Sequence, residues 1–300
     1  LESRVLTKKE IKATCCVIGA GPTGLVALRH LKDVAHCVCY EIKEELGGLW
    51  AYKGTTDDTV ETKDGFYTLY GHTQESLYQD LSTIVPKYFL AYKDYPPQID
   101  GLYFTKEEVL EYLQGYAEYF DVKPLIQFGT MVVDVSVNHN RISSKRWKVT
   151  TKKGADGDEK IEYFDYVVVC NGHNSVPHYP FEDIKSFDAF QGIITHSHNF
   201  RKPDVEEFIG KNILVVGARW SGLDLLYQFV DNQRLGGRVD FKKIIINVVE
   251  PDYLSKSTNF NPYFDDGSII VKKGRGIQFK EHSVIFEDGS EETIETILFC

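Results

Sequence analysis

Two glycine-punctuated stretches carry the residue types from which a phosphate site can be built. "GAGPTG" sets Gly19, Gly21 and Gly24 in a GxGxxG pattern around Pro22 and Thr23, and "GARWSG" sets Gly217, Arg219, Trp220, Ser221 and Gly222 in a GxRxSG pattern. In such a turn between strand and helix, the first glycine permits the tight bend and the second lets backbone approach a pyrophosphate. The third lets helix and strand pack closely. The helix N-terminus then offers N–H groups and a partial positive charge to the phosphates. Glu41 ends the next strand-like run, "HCVCYE", at the spacing of about 20 residues where an acid accepts hydrogen bonds from an adenosine ribose. The competing reading is a purely structural glycine turn. Arg219 stands where glycine is expected; it brings a Cβ to a crowded place and a cation toward two phosphates. An exposed loop arginine explains it equally well.

The elements around these turns fit the same chemistry. "ATCCVIGAGPTGLVALRHL" is an apolar run without alternation, then the turn, then apolar residues at Leu25, Leu28 and Leu31. A strand buried on both faces followed by an amphipathic helix reads this way. The order repeats from Asn212 to Phe229, with "KKIIINVVE" as the following strand. "TKEEVLEYLQGYAEYF" is a helix with Thr105 as N-cap and glutamates in its first turn. Residues 51–99 are polar and aromatic, and are expected to form loops and short helices. "WKVTTKKGADGDEKIEYFDYVVVC" reads as a hairpin turning at Gly154–Gly157 and then a buried strand. "SVIFEDGSEETIETILFC" reads as a hairpin with an Asp-Gly turn and a last apolar strand.

Composition limits the function classes. The chain has 300 residues, 42% of them hydrophobic and 26% charged, with a formal net charge of −10. That balance suits a globular protein with a sizeable core and argues against a general nucleic-acid binder, which needs a basic face. No apolar run approaches the ~20 residues of a membrane span, so a soluble compartment such as the cytoplasm is expected; secretion after leader removal stays open. The cysteines, Cys15, Cys16, Cys37, Cys39, Cys170 and Cys300, form no CxxC pair; they read as buried reduced thiols. His196 and His198 form an HxH without a partner pair, so no metal site is expected.

Further motifs narrow the class. "EIKEELGGLW" follows the first turn; on its own it could be a helix end capped by Gly47 and Gly48. "FQGIITHSHNF" fits FxGxxxHxxx(Y/F) through Phe190, Gly192, His196 and Phe200, and "LYQDLSTIVPKYFLAYKDYP" and "VCNGHNSVPHYP" occur in the order and spacing of two more family stretches. Together these make the chain resemble the flavin-containing monooxygenases, class B flavoprotein monooxygenases, of an arthropod-type N-oxygenase kind. An aromatic at Phe200 in place of tryptophan favours them over the related Baeyer–Villiger enzymes.

The resemblance implies an α/β fold of two Rossmann-like dinucleotide-binding domains, the NADPH domain inserted into the FAD domain. Residues 1–178 would form the N-terminal FAD segment, 179–298 the NADPH domain, and 299–300 the start of the return, with the family's C-terminal part expected to be missing. It implies that NADPH reduces FAD, that a C4a-hydroperoxyflavin forms with O2, and that one oxygen passes to a soft nitrogen or sulfur of a small xenobiotic or alkaloid. Gly19, Gly21, Pro22, Thr23 and Gly24 would line the FAD pyrophosphate, Glu41 the ribose, Leu49 and Trp50 the isoalloxazine side, and Val132 the adenine through its backbone. Gly217, Arg219, Trp220, Ser221 and Gly222 would hold the NADPH phosphates. His196 would fix the linker between domains. A homo-oligomer stays open.

Besides Arg219, two further departures from the family pattern matter for function. Thr83 is followed by Ile84, where the family has an asparagine near the reacting centre; isoleucine neither donates nor accepts a hydrogen bond. Oxygen activation would then rest on Thr83, bound NADP or backbone groups. Alternatively the enzyme is an uncoupled NADPH oxidase releasing hydrogen peroxide, or a non-catalytic FAD/NADP-binding remnant. Glu250, after the second domain's second strand, favours NADH, whereas Arg219 or Lys256 could supply the cation that NADPH requires; NADPH is expected from the resemblance.

Overall fold

The computed structural model describes residues 13–52, 76–98, 100–139, 143–154, 157–173, 177–180, 184–232, 235–249, 260–274 and 277–300. They fall into two compact units. The first holds 13–52 and 82–173, the second 76–81 and 177–300. No helix among the described residues is long and apolar enough to cross a membrane.

The first unit is built on a four-stranded parallel sheet. Strand β1 (Ala13–Ile18) leads through the glycine turn into helix α1 (Pro22–Leu31), and β2 (Ala35–Tyr40) follows. After the short helix α2 (Lys87–Leu90) and helix α3 (Lys106–Tyr119) come β3 (Ile126–Gln127), the antiparallel strands β4 (Thr130–Val137), β5 (Trp147–Lys153) and β6 (Glu159–Phe164), and β7 (Tyr166–Val169). The sheet order is β3-β2-β1-β7, with β4-β5-β6 as a separate sheet. The unbroken apolar run of β1 has a direct cause. Cys15 and Val17 pack with Leu25 and Leu28 of α1 and Leu113 and Tyr116 of α3. Cys16, between them, faces the other way, onto Tyr40, Val149 and Phe164. Alternating side chains thus meet two different apolar layers, so neither set can be polar. Each fully buried leucine contributes about 2 kcal/mol. Helix α3 starts as its sequence predicts: Thr105 accepts from the Glu108 N–H and Glu108 accepts from the Thr105 N–H, a complete capping box.

The second unit repeats the plan. Strand β8 (Ile193–His196) precedes β9 (Asn212–Val216), helix α4 (Trp220–Val230), β10 (Lys243–Val248) and β11 (Ile269–Lys273). The short antiparallel strands β12 (Gln278–Phe279), β13 (Ser283–Ile285) and β14 (Glu291–Thr293) lead to β15 (Thr296–Phe299). The sheet order β11-β10-β9-β15-β8 matches that of the first unit, with β8 added at the edge. Ile213 and Val215 face Leu225, Leu226 and Phe229 of α4. Leu214 faces Val284 and Phe286 beneath the sheet. The echo between the halves therefore extends beyond strand, turn and helix to a three-stranded antiparallel layer on the opposite face.

Two expectations change. β7 is half-exposed rather than buried, with Tyr166 61% and Val169 65% accessible, because it is the edge strand of its sheet. Of the cysteines, Cys15, Cys16 and Cys39 are buried while Cys37, Cys170 and Cys300 are half-buried, and all six are free thiols. The alternative of a helix end at EIKEELGGLW is not what forms: residues 42–46 are bends, and a single 3-10 turn covers Gly48–Trp50.

Candidate functional site

The first glycine turn is a cradle from which side chains are excluded by backbone. Gly19 has φ +96°, and a Cβ there would lie 2.6 Å from the Cys170 carbonyl oxygen at the end of β7. A Cβ on Gly24 would overlap the Gly19 carbonyl oxygen. Gly21 is different: its φ of −75° and ψ of −175° suit any residue. The Gly48 backbone lies against it. A Cβ on Gly21 would sit 3.4 Å from the Gly48 Cα, and one on Gly48 would sit 2.9 Å from the Gly21 Cα. The GGLW segment therefore lies directly on the phosphate turn. Gly47 donates to the Ala20 carbonyl at 3.0 Å, and the Lys43 ammonium donates to the Gly48 carbonyl at 2.8 Å. Pro22 at the first helical position costs the helix no hydrogen bond. Its carbonyl accepts from the Tyr92 hydroxyl at 2.9 Å.

Glu41 is 4% exposed. Its Oε2 accepts from the Ala20 N–H at 2.6 Å and its Oε1 from the Lys43 N–H at 2.9 Å. The carboxylate thus ties the end of β2 to the glycine turn, and keeps lone pairs for further donors.

The second turn reproduces this geometry by itself. Gly217 has φ +99°, and a Cβ there would lie 2.7 Å from the Cys300 carbonyl oxygen at the end of β15. A Cβ on Gly222 would overlap the Gly217 carbonyl oxygen and lie 3.4 Å from the Cys300 Cβ. Arg219 has φ −76° and ψ −164°, nearly the Gly21 conformation. An L-residue fits this backbone without strain. Arg219, Trp220 and Ser221 are exposed at the start of α4, and Arg219 has no ion pair among the described residues. The residues fit a dinucleotide turn in three respects: both turns end a buried strand, open a helix, and place glycines (Gly19 and Gly24, Gly217 and Gly222) where a Cβ would meet backbone.

The profile described as "FMO-like: Flavin-binding monooxygenase-like" matches residues 12–236. The dimethylaniline monooxygenase [N-oxide-forming] 2 of Pan troglodytes is 33% identical over 218 residues, covering 72% of this chain and 37% of that protein. Flavin-containing monooxygenase 5 of Mus musculus is 32% identical over 345 residues, covering 96% of this chain and 61% of that protein. The solved S-allyl-L-cysteine S-oxygenase of Allium sativum superposes with a TM-score of 0.75 at 27% identity, over 97% of this chain and 62% of that one. The chain belongs to the flavin-binding monooxygenase family. It spans 37% and 61% of the length of the two curated relatives named. Family membership implies FAD and NADPH as cofactors.

The remaining residues of the flavin-binding monooxygenase pattern take distinct places. Gly192 lies under the Phe190 ring and the Glu295 carbonyl, both of which a Cβ would overlap. Phe190, 7% exposed, packs against the Phe279 ring at 5.7 Å. Phe200, 2% exposed, stacks edge-on with Tyr78 at 5.6 Å and with Phe229 at 5.9 Å. His196 Nδ1 accepts from the His198 N–H at 3.0 Å. Burial, followed by the nearby His198, lowers its pKa to about 4. Burial thus favours the neutral ring, and its Nδ1 is already engaged by backbone.

Thr83 and Ile84 sit together but do different things. The Thr83 hydroxyl accepts from the Phe104 N–H at 3.0 Å and donates to the Val85 carbonyl at 3.1 Å. Ile84 is 58% exposed. Leu49 is 37% exposed and Trp50 half-buried. Val132, in β4, is half-buried against the cluster of Cys16, Tyr40, Val149 and Phe164, beside a bulge between Val132 and Asp134. Lys256 and Glu250 lie outside the described residues.

Four contributors went unnoticed in the sequence. Lys43 clamps the GGLW loop, and the Cys170 and Cys300 carbonyls wall the two turns. Arg201, 9% exposed, donates to the Leu77, His198 and Phe200 carbonyls at 3.1, 2.9 and 3.0 Å. Only Lys43 carried a signal, as the cation between Glu41 and the paired glycines. Burial pushes the Cys15 thiol up to about 11 and the Cys16 and Cys300 thiols up to about 12, which disfavours their thiolate forms.

Proposed function

We propose that the protein is an FAD- and NADPH-dependent monooxygenase that transfers one oxygen atom of O2 to a soft nucleophilic nitrogen or sulfur of a small molecule. The observation that carries this is the doubled glycine cradle, one per unit, within a chain of the flavin-binding monooxygenase family. FAD, when bound, supplies the redox chemistry: it takes hydride from NADPH and activates dioxygen. The chain's own residues bind and orient. Gly19, Gly21 and Gly24 leave room for the FAD pyrophosphate against α1. Glu41 fixes the turn through Ala20 and offers its remaining lone pairs to the ribose. Lys43 holds Gly48, and with it Leu49 and Trp50, at the cradle's rim. Gly217 and Gly222 form the NADPH turn, with the Arg219 guanidinium at its mouth. N-oxide formation and S-oxygenation are named for relatives, and an amine or sulfide is the proposed substrate class.

A second reading, an uncoupled NADPH oxidase, is favoured by one observation. Ile84 offers no hydrogen bond, and the neighbouring Thr83 hydroxyl is committed to Phe104 and Val85. One experiment separates the two. FAD-loaded protein is expected to bleach with NADPH under argon, as hydride transfer requires. With air and an amine, the monooxygenase yields N-oxide nearly one-to-one with NADPH, whereas the oxidase yields peroxide. If the second reading holds, Ile84→Asn lowers peroxide per NADPH several-fold; unchanged coupling removes Ile84 as its cause. Protein that takes up no FAD defeats both.

A further inference from the structure

We infer that Lys87, the first residue of α2, is a positioning residue for oxygen transfer. It holds the bend that carries Thr83 and Ile84 in the shape that decides whether oxygen reaches the substrate or leaves as hydrogen peroxide. The inference rests on the monooxygenase reading above, in which residue 84 borders the reacting centre, and assigns the residue that fixes that border. Polarity is inverted along this segment. Lys87 is 0% exposed, while Ile84, Val85, Tyr88, Phe89 and Leu90 around it are exposed, Phe89 at 83%. Burying an ammonium costs free energy, and leaving large apolar side chains in water forgoes the gain from burying them. A rotation of the segment would relieve both, so other contacts must hold it. Proteins break such local rules mainly at functional sites.

Those contacts form a clip between two stretches of the chain. Ser82 bridges Thr105 in the antiparallel sense. The Thr83 N–H donates to the Phe104 carbonyl at 2.8 Å, and the Phe104 N–H donates back to the Thr83 hydroxyl at 3.0 Å. The Lys87 N–H donates to the Leu102 carbonyl at 2.9 Å. The Lys87 ammonium reaches further along the same stretch and donates to the Asp100 carbonyl. It also lies 5.2 Å from the centroid of the Phe104 ring. The bend at Ile84 and Val85 is thus fastened on both sides, by Thr83 and by Lys87.

The clip is anchored to the first glycine turn. The Ala91 N–H donates to the Lys87 carbonyl at 2.9 Å, and the next residue, Tyr92, gives its hydroxyl to the Pro22 carbonyl at 2.9 Å. The Tyr92 N–H donates to the Tyr112 hydroxyl at 2.8 Å, and the Phe104 ring packs 5.7 Å from the Tyr112 ring. Helix α3 therefore braces both stretches, and the bend keeps a fixed place relative to the turn. Without the Lys87 ammonium the Asp100 end is released and the bend loosens. Transfer of oxygen to a substrate needs a held geometry, whereas release of peroxide needs none. Both fates consume one NADPH, one proton and one O2. One yields the oxidised substrate and water, the other hydrogen peroxide, so their ratio reads positioning rather than rate.

The test compares the FAD-loaded wild type with Lys87→Met, which keeps nearly the length of the side chain without its charge, and with Lys93→Met, which removes an exposed lysine from the same segment. Hydrogen exchange read by mass spectrometry is expected to be about tenfold faster at the Thr83 and Lys87 amides of Lys87→Met, with the α3 amides unchanged. With NADPH, air and either N,N-dimethylaniline or thioanisole, oxide formed per NADPH is expected to fall about threefold or more and peroxide to rise to match, with the FAD content kept. Lys93→Met is expected to match the wild type in both. Lys87→Gln keeps an N–H donor with a shorter reach. It is expected to fall between the two, and it replaces the methionine protein in the comparison if that one does not fold. Exchange within about twofold of the wild type, oxide per NADPH within about 1.5-fold of it despite faster exchange, or an equal loss in Lys93→Met overturns the assignment to Lys87 and leaves the monooxygenase reading standing. A wild type that forms peroxide alone overturns that reading, and the assignment with it.

Discussion

Gly24→Ala is expected to abolish tight FAD binding and to destabilise the first unit by at least about 3 kcal/mol. The added methyl would overlap the Gly19 carbonyl oxygen, and Gly19 is itself held against the Cys170 carbonyl. Neither neighbour is the end of a flexible side chain, so β1 and α1 must separate. Because such a protein could fail to fold, Gly21→Ala is the informative companion. Gly21 has an unstrained backbone, and its added Cβ would meet the Gly48 Cα at 3.4 Å, an ordinary contact. That protein is expected to keep its melting temperature within a few degrees and to bind FAD at least about tenfold more weakly, since the methyl fills the space for the pyrophosphate. Retained flavin absorbance after gel filtration of Gly21→Ala would contradict the assignment of this turn to FAD.

Gly222→Ala is expected to separate the two sites. Its Cβ would overlap the Gly217 carbonyl oxygen, so the second turn cannot form as it stands. NADPH affinity should fall about a hundredfold or more, and anaerobic bleaching at fixed NADPH should slow accordingly. Bound FAD should stay, because all the contacts that shape the first turn lie within the first unit. Stopped-flow reduction together with the flavin absorbance of the purified protein checks both halves. Equal loss of flavin and reduction would show that the two turns do not serve separate nucleotides.

The sequence was informative where one local reason decides a residue. Both strand, turn and helix units were legible because a strand buried on two faces must be apolar throughout, as Cys15, Cys16 and Val17 are. Thr105 marked its helix because capping needs only three residues of context. The site was less legible where the reason is distant. Gly21 reads as a phosphate glycine, yet it also sets the identity of Gly48, where a Cβ would lie 2.9 Å from the Gly21 Cα. Arg219 looked like an objection because a GxGxxG pattern treats all three glycines alike. The backbone separates them: positions 19 and 217 need positive φ, whereas positions 21 and 219 are extended and tolerate a side chain unless something lies against them. Residues 76–81 lie in the second unit through Arg201, whose partners Leu77 and His198 are far apart in the chain. No local pattern encodes such a contact. The exposed face of β7 was missed because its run of valines looks the same in an edge strand as in a central one.

The central claim is that one chain holds two nucleotides in two separate cradles. Native mass spectrometry of the purified chain tests it most directly. The account predicts a mass raised by one FAD, and on addition of NADP⁺ a further increase of one NADP⁺ without loss of flavin. A chain that carries no FAD when supplied with it, or that exchanges FAD for NADP⁺ at a single site, would contradict it.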